Sequence, residues 1–337
     1  MNAARRLIFL LPVVALAAAI VAAFTIGKYP VAPADALAVL WAKLTGGAHG
    51  VSEAVETVVM RIRGPRIAAA LLVGAALAAA GAAYQGLFRN PLVSPDILGV
   101  SSGAALGAVI GIFLSLPVLA IQGLSFVGGL GAVAVVYGVA TAVRGHDPVL
   151  VLVLAGVAIG ALFGAGVALL KYIADPYNQL PAITFWLLGS LAGSAPTDLG
   201  TAAPLVLAGL VPLVLLRWRI NLLSLGDEEA QALGVSTGVT RAAVIAAATL
   251  MTASVVSISG IIGWVGLLIP HFARLLVGPD FGRLLPTAAF LGGAFMLLVD
   301  TLARTVASIE VPLGVLTALV GTPFFVWLLA TVRRGWQ

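Results

Sequence analysis

The sequence predicts an all-α membrane protein: ten transmembrane helices, a short extra half-helix and a short amphipathic helix on a loop. Of its 337 residues, 61% are hydrophobic and 9% are charged, and the mean hydropathy is +1.14. Long runs without any charge recur along the chain. Because one crossing needs about 20 apolar residues, the length allows many spans. We expect one polytopic membrane domain covering residues 1–337.

The composition excludes several classes of protein. The chain has no cysteine, which removes disulfides and thiolate metal sites. His49, His146 and His271 are far apart and form no ligand motif. There is no GxxxxGK[ST] or HExxH motif, and we expect no catalytic residues, no metal and no cofactor. The basic residues are scattered between apolar runs and mark topology; they do not indicate nucleic-acid binding.

Charge-free runs place the first five spans. The run at 7–27 exceeds the roughly 7–15 residues of a signal-peptide core, so we expect an uncleaved first span. The polar stretch 28–60 contains ADALAVLWAKL, which suits a helix on the membrane surface with Trp41 at the interface. Further spans are expected at 66–88, at 149–170 and twice within 97–143, where Pro117 with Gln122-Gly123 divides the run.

The second half follows the same pattern. The stretch 182–191 is too short to cross and lies among helix breakers, so it is expected to be a half-helix. The SISG and GWVG pieces divide the run 242–272. The remaining spans are then expected at 199–216, twice within 242–272, at 284–303 and at 311–331.

Ten crossings place both termini on one side of the membrane. The positive-inside rule makes that side cytoplasmic, because it carries eleven of the eighteen Lys and Arg residues. These are Arg5, Arg6, Arg89, Arg144, Arg217, Arg219, Arg241, Arg274, Arg283, Arg333 and Arg334.

The cytoplasmic loop at about 220–240 carries three consecutive acids. Gly226 breaks the preceding segment, and Asp227 is expected to cap a short helix with Glu228 and Glu229 in its first turn, where the helix dipole favours them. Ala230 and Leu233 continue it, and Gly234 ends it. From the residues alone, this element is either a solvated connector or a docking element for a soluble partner.

Four arginines are expected on the outer side of the membrane, where the positive-inside rule disfavours basic residues. Arg61, Arg63 and Arg66 lie at the outer mouth of span two, and Arg304 lies at the outer end of span nine. They are either interfacial anchors or a docking site for acidic groups of an external partner. Asp300 precedes Arg304 by four residues, the spacing of a same-face helical pair, so we expect it to orient Arg304.

Several stretches, in order and over nearly the whole chain, resemble the permease subunits of iron-chelate, haem and vitamin B12 ABC importers, which are type II importers. The stretch 63–107, RGPRIAAALLVGAALAAAGAAYQGLFRNPLVSPDILGVSSGAALG, resembles the second and third spans of that family. LAGVAIG at 154–160 resembles its fifth span, and LSLGDEEAQALGV at 223–235 resembles its coupling loop. SGIIGWVGLLIPHFARLL at 259–276 and VPLGVLTALVGTPFFVWLL at 311–329 resemble its last spans.

The resemblance implies a homodimer in the cytoplasmic (inner) membrane of a bacterium or archaeon, with lipid around it. Two ATP-binding cassette subunits would bind below and a soluble substrate-binding protein above. Arg63, Arg66 and Arg304 match family positions that pair with acids of the binding protein, whereas Arg61 does not. The acidic helix matches the cytoplasmic coupling helix. The imported cargo would be of the iron-siderophore, haem or cobalamin class, with oxyanions also open.

Two alternatives stay open. A stand-alone secondary carrier of a small solute would usually place ionisable residues at mid-span, and this sequence has almost none there. A membrane scaffold without transport activity would need neither outer arginines nor an inner acidic helix.

Overall fold

The computed structural model describes residues 3–48, 50–143 and 148–331, and every regular element in those ranges is helical. His49, Arg144, His146, Arg333 and Arg334 lie outside the described residues, as do the side chains of Arg5 and Arg6. In chain order the α-helices are α1 (Ala3–Thr25), α2 (Pro33–Thr45), α3 (Glu53–Thr57), α4 (Gly64–Leu87), α5 (Val100–Phe113), α6 (Val118–Ala142), α7 (Pro148–Ile173), α8 (Gln179–Leu188), α9 (Pro196–Leu215), α10 (Arg217–Leu223), α11 (Asp227–Ala232), α12 (Thr237–Ser259), α13 (Val265–Val277), α14 (Phe281–Thr305) and α15 (Leu313–Thr331).

The ten expected spans correspond to α1, α4, α5, α6, α7, α9, α12, α13, α14 and α15. Among the described residues, six helices are long and apolar enough to cross a membrane, and five shorter apolar helices accompany them. One of the shorter ones is α8, the expected half-helix, which begins at Gln179 rather than at 182. It ends where Gly189 adopts the left-handed backbone conformation, with φ +73°.

Two boundaries differ from expectation. Gln122 and Gly123 do not break a helix: α6 starts after Pro117 and continues through both residues. The side-chain amide of Gln122 donates a hydrogen bond to the carboxylate of Asp198 at 3.0 Å, which satisfies this polar group within an apolar helix. The second span also starts earlier than expected, because Ser52 caps α3 and the chain stays helical from Glu53 to Leu87.

The join between α3 and α4 is a π-helical segment, Val58–Arg63. Arg63 and Arg66 therefore lie within a continuous helix and not at its mouth.

The helix α4 is the centre of the packing. It is rich in alanine and glycine and is buried along most of its length by α12, α13 and α14. A methyl group added to Gly74 would lie 2.1 Å from the carbonyl oxygen of Gly292 on α14. One added to Gly81 would lie 1.9 Å from the carbonyl oxygen of Gly266 on α13. Backbones in contact through small residues are how helices associate closely in membranes.

The same packing joins α5 to α6. A methyl group on Gly103 would lie 2.3 Å from the carbonyl oxygen of Gly128, and one on Gly107 would lie 2.0 Å from that of Leu124. Small residues therefore form the packing face between α5 and α6 as well.

The surface helix α2 is present and carries an exposed apolar stripe. Leu37, Trp41 and Leu44 are exposed, while Ala36 and Val39 are buried against the rest of the fold. Exposed apolar residues one helical turn apart, with an aromatic ring among them, are typical of a helix at the membrane interface.

Glycine contacts of α4 can be tested by Gly81→Ala. Helix propensity alone favours alanine by up to about 1 kcal/mol, but the new methyl group collides with the backbone of Gly266, and overpacking costs about 1–3 kcal/mol. We expect the variant to unfold at a lower midpoint temperature than the parent chain in detergent. Tryptophan fluorescence measures the unfolding. Gly131→Ala is the control, because nothing lies within 4 Å of a methyl group there. Equal midpoints for both variants would contradict the close packing.

Candidate functional site

The arginine cluster consists of Arg63, Arg66, Asp300, Arg304 and Glu310, and it lies at the first turns of α4. Arg66 donates from Nε to Asp300 Oδ1 and from Nη1 to Glu310 Oε1, both at 2.8 Å. Arg304 Nε lies 3.1 Å from the other oxygen of Asp300, so the expected i, i+4 pair is present. Asp300 itself is fully buried. The cluster joins α4, α14 and the loop that follows α14.

The end of α1 is held by the same arginines. Arg63 donates to the backbone carbonyl oxygens of Phe24 and Tyr29, and Arg304 donates to that of Ala23 at 3.4 Å. The last carbonyl groups of a helix have no partner within it, and arginine side chains are well suited to supply one. The cluster therefore fixes α1 against α4 and α14.

The sequence places Arg63 and Arg66 at the outer mouth of span two, but both are buried in this structure. Arg63 is 4% exposed and Arg66 is 8% exposed. The physical reason is the helical extension from Glu53, which places these residues below the end of the helix and between its neighbours. Arg61, on the opposite side of the same π-helical segment, is exposed.

Nothing in the sequence pattern singles out Glu310, the second carboxylate of the cluster. It lies on the loop 306–312 between α14 and α15, where no helical spacing relates it to Arg66. Three arginines then face two carboxylates, and the cluster keeps an excess of positive charge. In the sequence, Glu310 is noticeable only as an isolated acid in a short apolar loop, six residues after Arg304.

The acidic helix α11 lies beyond the opposite end of α4. It starts at Asp227, with Gly226 in the capping position at φ +136°. The expectation that Asp227 caps this helix is wrong, because its carboxylate is engaged elsewhere. Asp227 accepts from Arg241 Nη2 at 3.1 and 3.2 Å and lies 3.5 Å from Arg89 Nη2. These ion pairs attach α11 to the start of α12 and to the residues that follow α4.

The other end of α11 is closed by backbone hydrogen bonds. Gly234, with φ +82°, donates to Gln231, and Val235 donates to Ala230, both at 2.9 Å. This pair of bonds is the Schellman motif, in which glycine takes the left-handed position after a helix. Gly234 is therefore the stop that the sequence predicts. Ala230 and Val235 are buried beneath the helix.

The outward side of α11 combines acidic and apolar groups. Glu228 and Glu229 are exposed, and Leu225 and Leu233 on either side of them are each more than half exposed. A cleft of about 220 Å³ lies next to this region and includes Arg89 and Arg274 in its wall. A fixed short helix with exposed leucines and acids is chemically suited to bind a soluble protein.

A larger cavity of about 700 Å³ lies between α8, the segment 261–264 that precedes α13, and α15, and it is open on one side. Its wall is largely apolar and includes Leu188, Trp264, Gly314 and Leu319. Trp264 has φ +72°, which is rare for a bulky residue. Its ring packs edge-on against Phe325, with ring centroids 6.0 Å apart. Within the described ranges, no group of three or more His, Cys, Asp or Glu residues could hold a metal ion.

Comparison with known proteins identifies the family. The model of the FecCD transport family matches residues 15–331. The chain belongs to the FecCD transport family. It is 44% identical over 281 residues to the cobalamin import system permease protein BtuC of Halobacterium salinarum, covering 83% of this chain and 75% of the relative. It is 42% identical over 311 residues to the molybdate import system permease protein MolB of Haemophilus influenzae, covering 92% and 91%.

A solved structure agrees with this membership. A metal-chelate type ABC transporter in an inward-facing conformation superimposes with a TM-score of 0.86 and 38% identity. The match covers 96% of this FecCD family chain and 98% of the solved chain. The resemblance carried by the sequence stretches is confirmed, and the all-helical membrane fold is that of the family.

In this FecCD family chain, Asp300→Asn tests the arginine cluster. The substitution keeps the size of the side chain but removes the charge that faces Arg66 and Arg304. Removing one partner of a buried ion pair costs about 3–5 kcal/mol, and we expect a large loss of thermal stability and of folded yield in detergent. Glu53→Gln, which neutralises an exposed carboxylate on α3, serves as the control. Asp300→Asn as stable as that control would show that the cluster contributes nothing to the fold.

Proposed function

We propose that this chain is the permease subunit of an ATP-driven importer that moves a metal chelate into the cytoplasm from an external binding protein. Membership of the FecCD family and the close match to a metal-chelate type ABC transporter support this role. The observation that carries it is the fixed acidic helix α11, which is tied by ion pairs to Arg89, just after the end of α4, and to Arg241 on α12. A partner that binds α11 and moves would therefore displace α12 and the residues that follow α4.

ATP hydrolysis is assigned to separate subunits. The sequence lacks the glycine-rich loop and lysine that bind nucleotide phosphates, and the permease is not itself an enzyme in this proposal. We assign two ATP-binding cassette subunits to the face that carries α11. The coupling segment comprises Gly226, Asp227, Glu228, Glu229, Ala230, Leu233 and Gly234. Within it, Glu228, Glu229, Leu233 and Gly234 are exposed and would make the contact.

The orientation and location follow from the charges. We propose that the chain forms one polytopic domain in the cytoplasmic membrane of a bacterium or archaeon, with both termini and α11 in the cytoplasm. The ends of helices near α11 carry Arg89, Arg217, Arg219, Arg241 and Arg283, as the positive-inside rule requires of the cytoplasmic side. The arginine cluster then faces outward, because α4 joins the two ends.

Two copies of the chain are proposed to form the pathway. The 700 Å³ cavity between α8, the segment 261–264 and α15 is open on one side and does not enclose a route through a single copy. Closed two-fold dimers are the commonest symmetric assembly. A two-fold dimer with these open sides facing each other would place the cargo route on the axis.

The binding protein is proposed to dock on the outer face, guided by Arg63, Arg66 and Arg304, with Asp300 as their supporting partner. The excess positive charge of the cluster favours acidic groups on the partner, and arginine pairs well with carboxylates. Burial limits how much of each guanidinium group is free, so this docking depends on a rearrangement at the cluster surface.

The composition of the cavity wall favours one class of cargo. Its largely apolar wall, with Trp264 and several leucines, suits a bulky organic chelate better than a small, strongly hydrated anion. The cobalamin-system relative supports the same class. Oxyanion import is the second candidate, because the molybdate-system relative covers 92% of this chain. Ligand binding by the partner binding protein separates the two.

A stand-alone secondary carrier is disfavoured by the positions of the buried charges. Among the described residues, the buried arginines and acids are Arg63, Arg66, Arg241 and Asp300. All four lie towards the ends of α4, α12 and α14, whereas ion-coupled carriers place such groups near the membrane midplane.

Coupling is tested by reversing two charges, Glu228→Lys together with Glu229→Lys. Both side chains are exposed and the backbone motif that closes α11 does not involve them, so the variant should insert and fold normally. We expect loss of the co-purifying ATPase, or loss of cargo-stimulated ATP hydrolysis in nanodiscs. The measurements are the amount of ATPase retained on the tagged permease and its hydrolysis rate.

The matched control for this variant is Asp35→Lys with Glu53→Lys, which makes the same change in net charge on the outer half of the chain. It should retain the ATPase. Normal ATPase retention together with normal transport in the Glu228/Glu229 variant would contradict the role of α11.

A further inference from the structure

The two carboxylates that hold Arg66 differ in accessibility. The side chain of Asp300 is fully buried, whereas that of Glu310 is 38% exposed. Both lie 2.8 Å from the guanidinium group of Arg66, which is itself 10% exposed. An ion pair weakens as its partners become solvated, so the pair with Glu310 is the weaker of the two. Glu310 is therefore the replaceable partner of Arg66, and Asp300 is the permanent one.

Glu310 belongs to a short loop with few other attachments to the arginine cluster. Within the loop 306–312, Val311 donates its N–H to the carbonyl oxygen of Ala303 at 3.1 Å. The carbonyl oxygen of Ser308 accepts from Lys28 at 2.6 Å. Ile309, next to Glu310, is 77% exposed. The ion pair to Arg66 is thus the loop's link to α4.

The same loop leads directly into the wall of the large cavity. Leu313, the first residue of α15, donates its N–H to the carbonyl oxygen of Gly189 at the end of α8, at 3.0 Å. A methyl group on Gly314 would lie 2.7 Å from the carbonyl oxygen of Leu188. Leu188 and Gly314 both line the 700 Å³ cavity together with Trp264. Backbone contacts therefore connect the loop 306–312 to the cavity wall through the first residues of α15.

We propose that Glu310 is an internal latch that occupies Arg66 until an acidic group of a docking partner replaces it. The exchange would release the loop 306–312 and loosen the start of α15 where it contacts α8. This inference rests on the proposed docking of an acidic protein at the outer face. It explains how Arg66, buried as it is, takes part in that docking: the edge of the guanidinium group that Glu310 covers is the edge a partner carboxylate takes over.

Charge favours the exchange. When Glu310 leaves, Arg63, Arg66 and Arg304 face Asp300 alone, and an incoming carboxylate meets a stronger positive field than before. Arginine binds carboxylates through directed pairs of N–H donors, so a carboxylate on a partner reproduces the geometry that Glu310 gives up. The latch thus selects for acidic partners and lowers the excess positive charge of the cluster when none is bound.

The experiment uses the full chain in lipid nanodiscs. Because the chain lacks cysteine, Ile309→Cys provides a single site for a nitroxide label on the loop, and Leu44→Cys provides one on α2 as a reference. The probe is hexaglutamate, with hexalysine as its opposite-charge control. Label mobility is measured by electron paramagnetic resonance, with and without Glu310→Gln. Glu53→Gln is the matched variant, which removes one negative charge on the same half of the molecule without touching Arg66.

We expect Glu310→Gln to increase label mobility at position 309 and not at 44, and to lower the hexaglutamate concentration needed for half-effect by about two- to fivefold. In the unmodified chain, hexaglutamate should raise mobility at position 309 and hexalysine should not. Glu310→Asp, which keeps the charge on a shorter side chain, should fall between the parent chain and Glu310→Gln. It also covers the case in which Glu310→Gln is poorly folded.

The latch is overturned if Glu310→Gln matches Glu53→Gln in both mobility and hexaglutamate response, or if hexaglutamate leaves the label unchanged. Neither readout involves an ATPase or a cargo. Failure of the latch is therefore distinct from failure of the proposed importer function, which the ATPase retained at α11 tests separately.

Discussion

The contact between the backbones of α4 and its neighbours is the constraint on which the rest of the structure depends. At Gly74 and Gly81 there is no space for a methyl group, because the carbonyl oxygens of Gly292 and Gly266 occupy it. Helices at this distance cannot slide without separating, since the grooves and ridges of the two backbones are interlocked. As a result α4 is a rigid element of 24 residues, about 36 Å long, and it connects two charged clusters on opposite faces.

Those clusters use charge in different ways. At one end of α4, Asp300 is buried and would be costly without Arg66 and Arg304, so the cluster is first a structural joint between α1, α4 and α14. Beyond the other end of α4, Asp227 pairs with Arg241 and Arg89 at a partly exposed site, and the acids that follow it are exposed. Charged side chains are thus buried where they hold helices together, and they are exposed where, in our proposal, a soluble subunit binds.

Most of the fold could be predicted from the sequence, because charge-free runs of the required length report membrane crossings directly. The half-helix α8, the surface helix α2 and the stop at Gly234 were also predictable from length and glycine chemistry. The misses share a cause: tertiary contacts override local signals. Gln122 stays within a helix because its amide donates a hydrogen bond to Asp198. Asp227 does not cap α11 because its carboxylate pairs with two arginines. Glu310 pairs with Arg66, which lies 244 residues away in the sequence. No local pattern contains such a partner, so the burial of the arginines could not be anticipated.

We propose that this FecCD family chain works as a pair, driven by ATPase subunits bound at α11. Native mass spectrometry of the complex, extracted through an affinity tag on the chain expressed in its own host, measures the number of copies directly. We expect a particle containing two copies of the 34.1 kDa chain and two copies of an ATP-binding subunit, with the ATP-binding subunits dissociating first. A transport-active particle containing one copy of the chain, or no ATP-binding subunit, would contradict it.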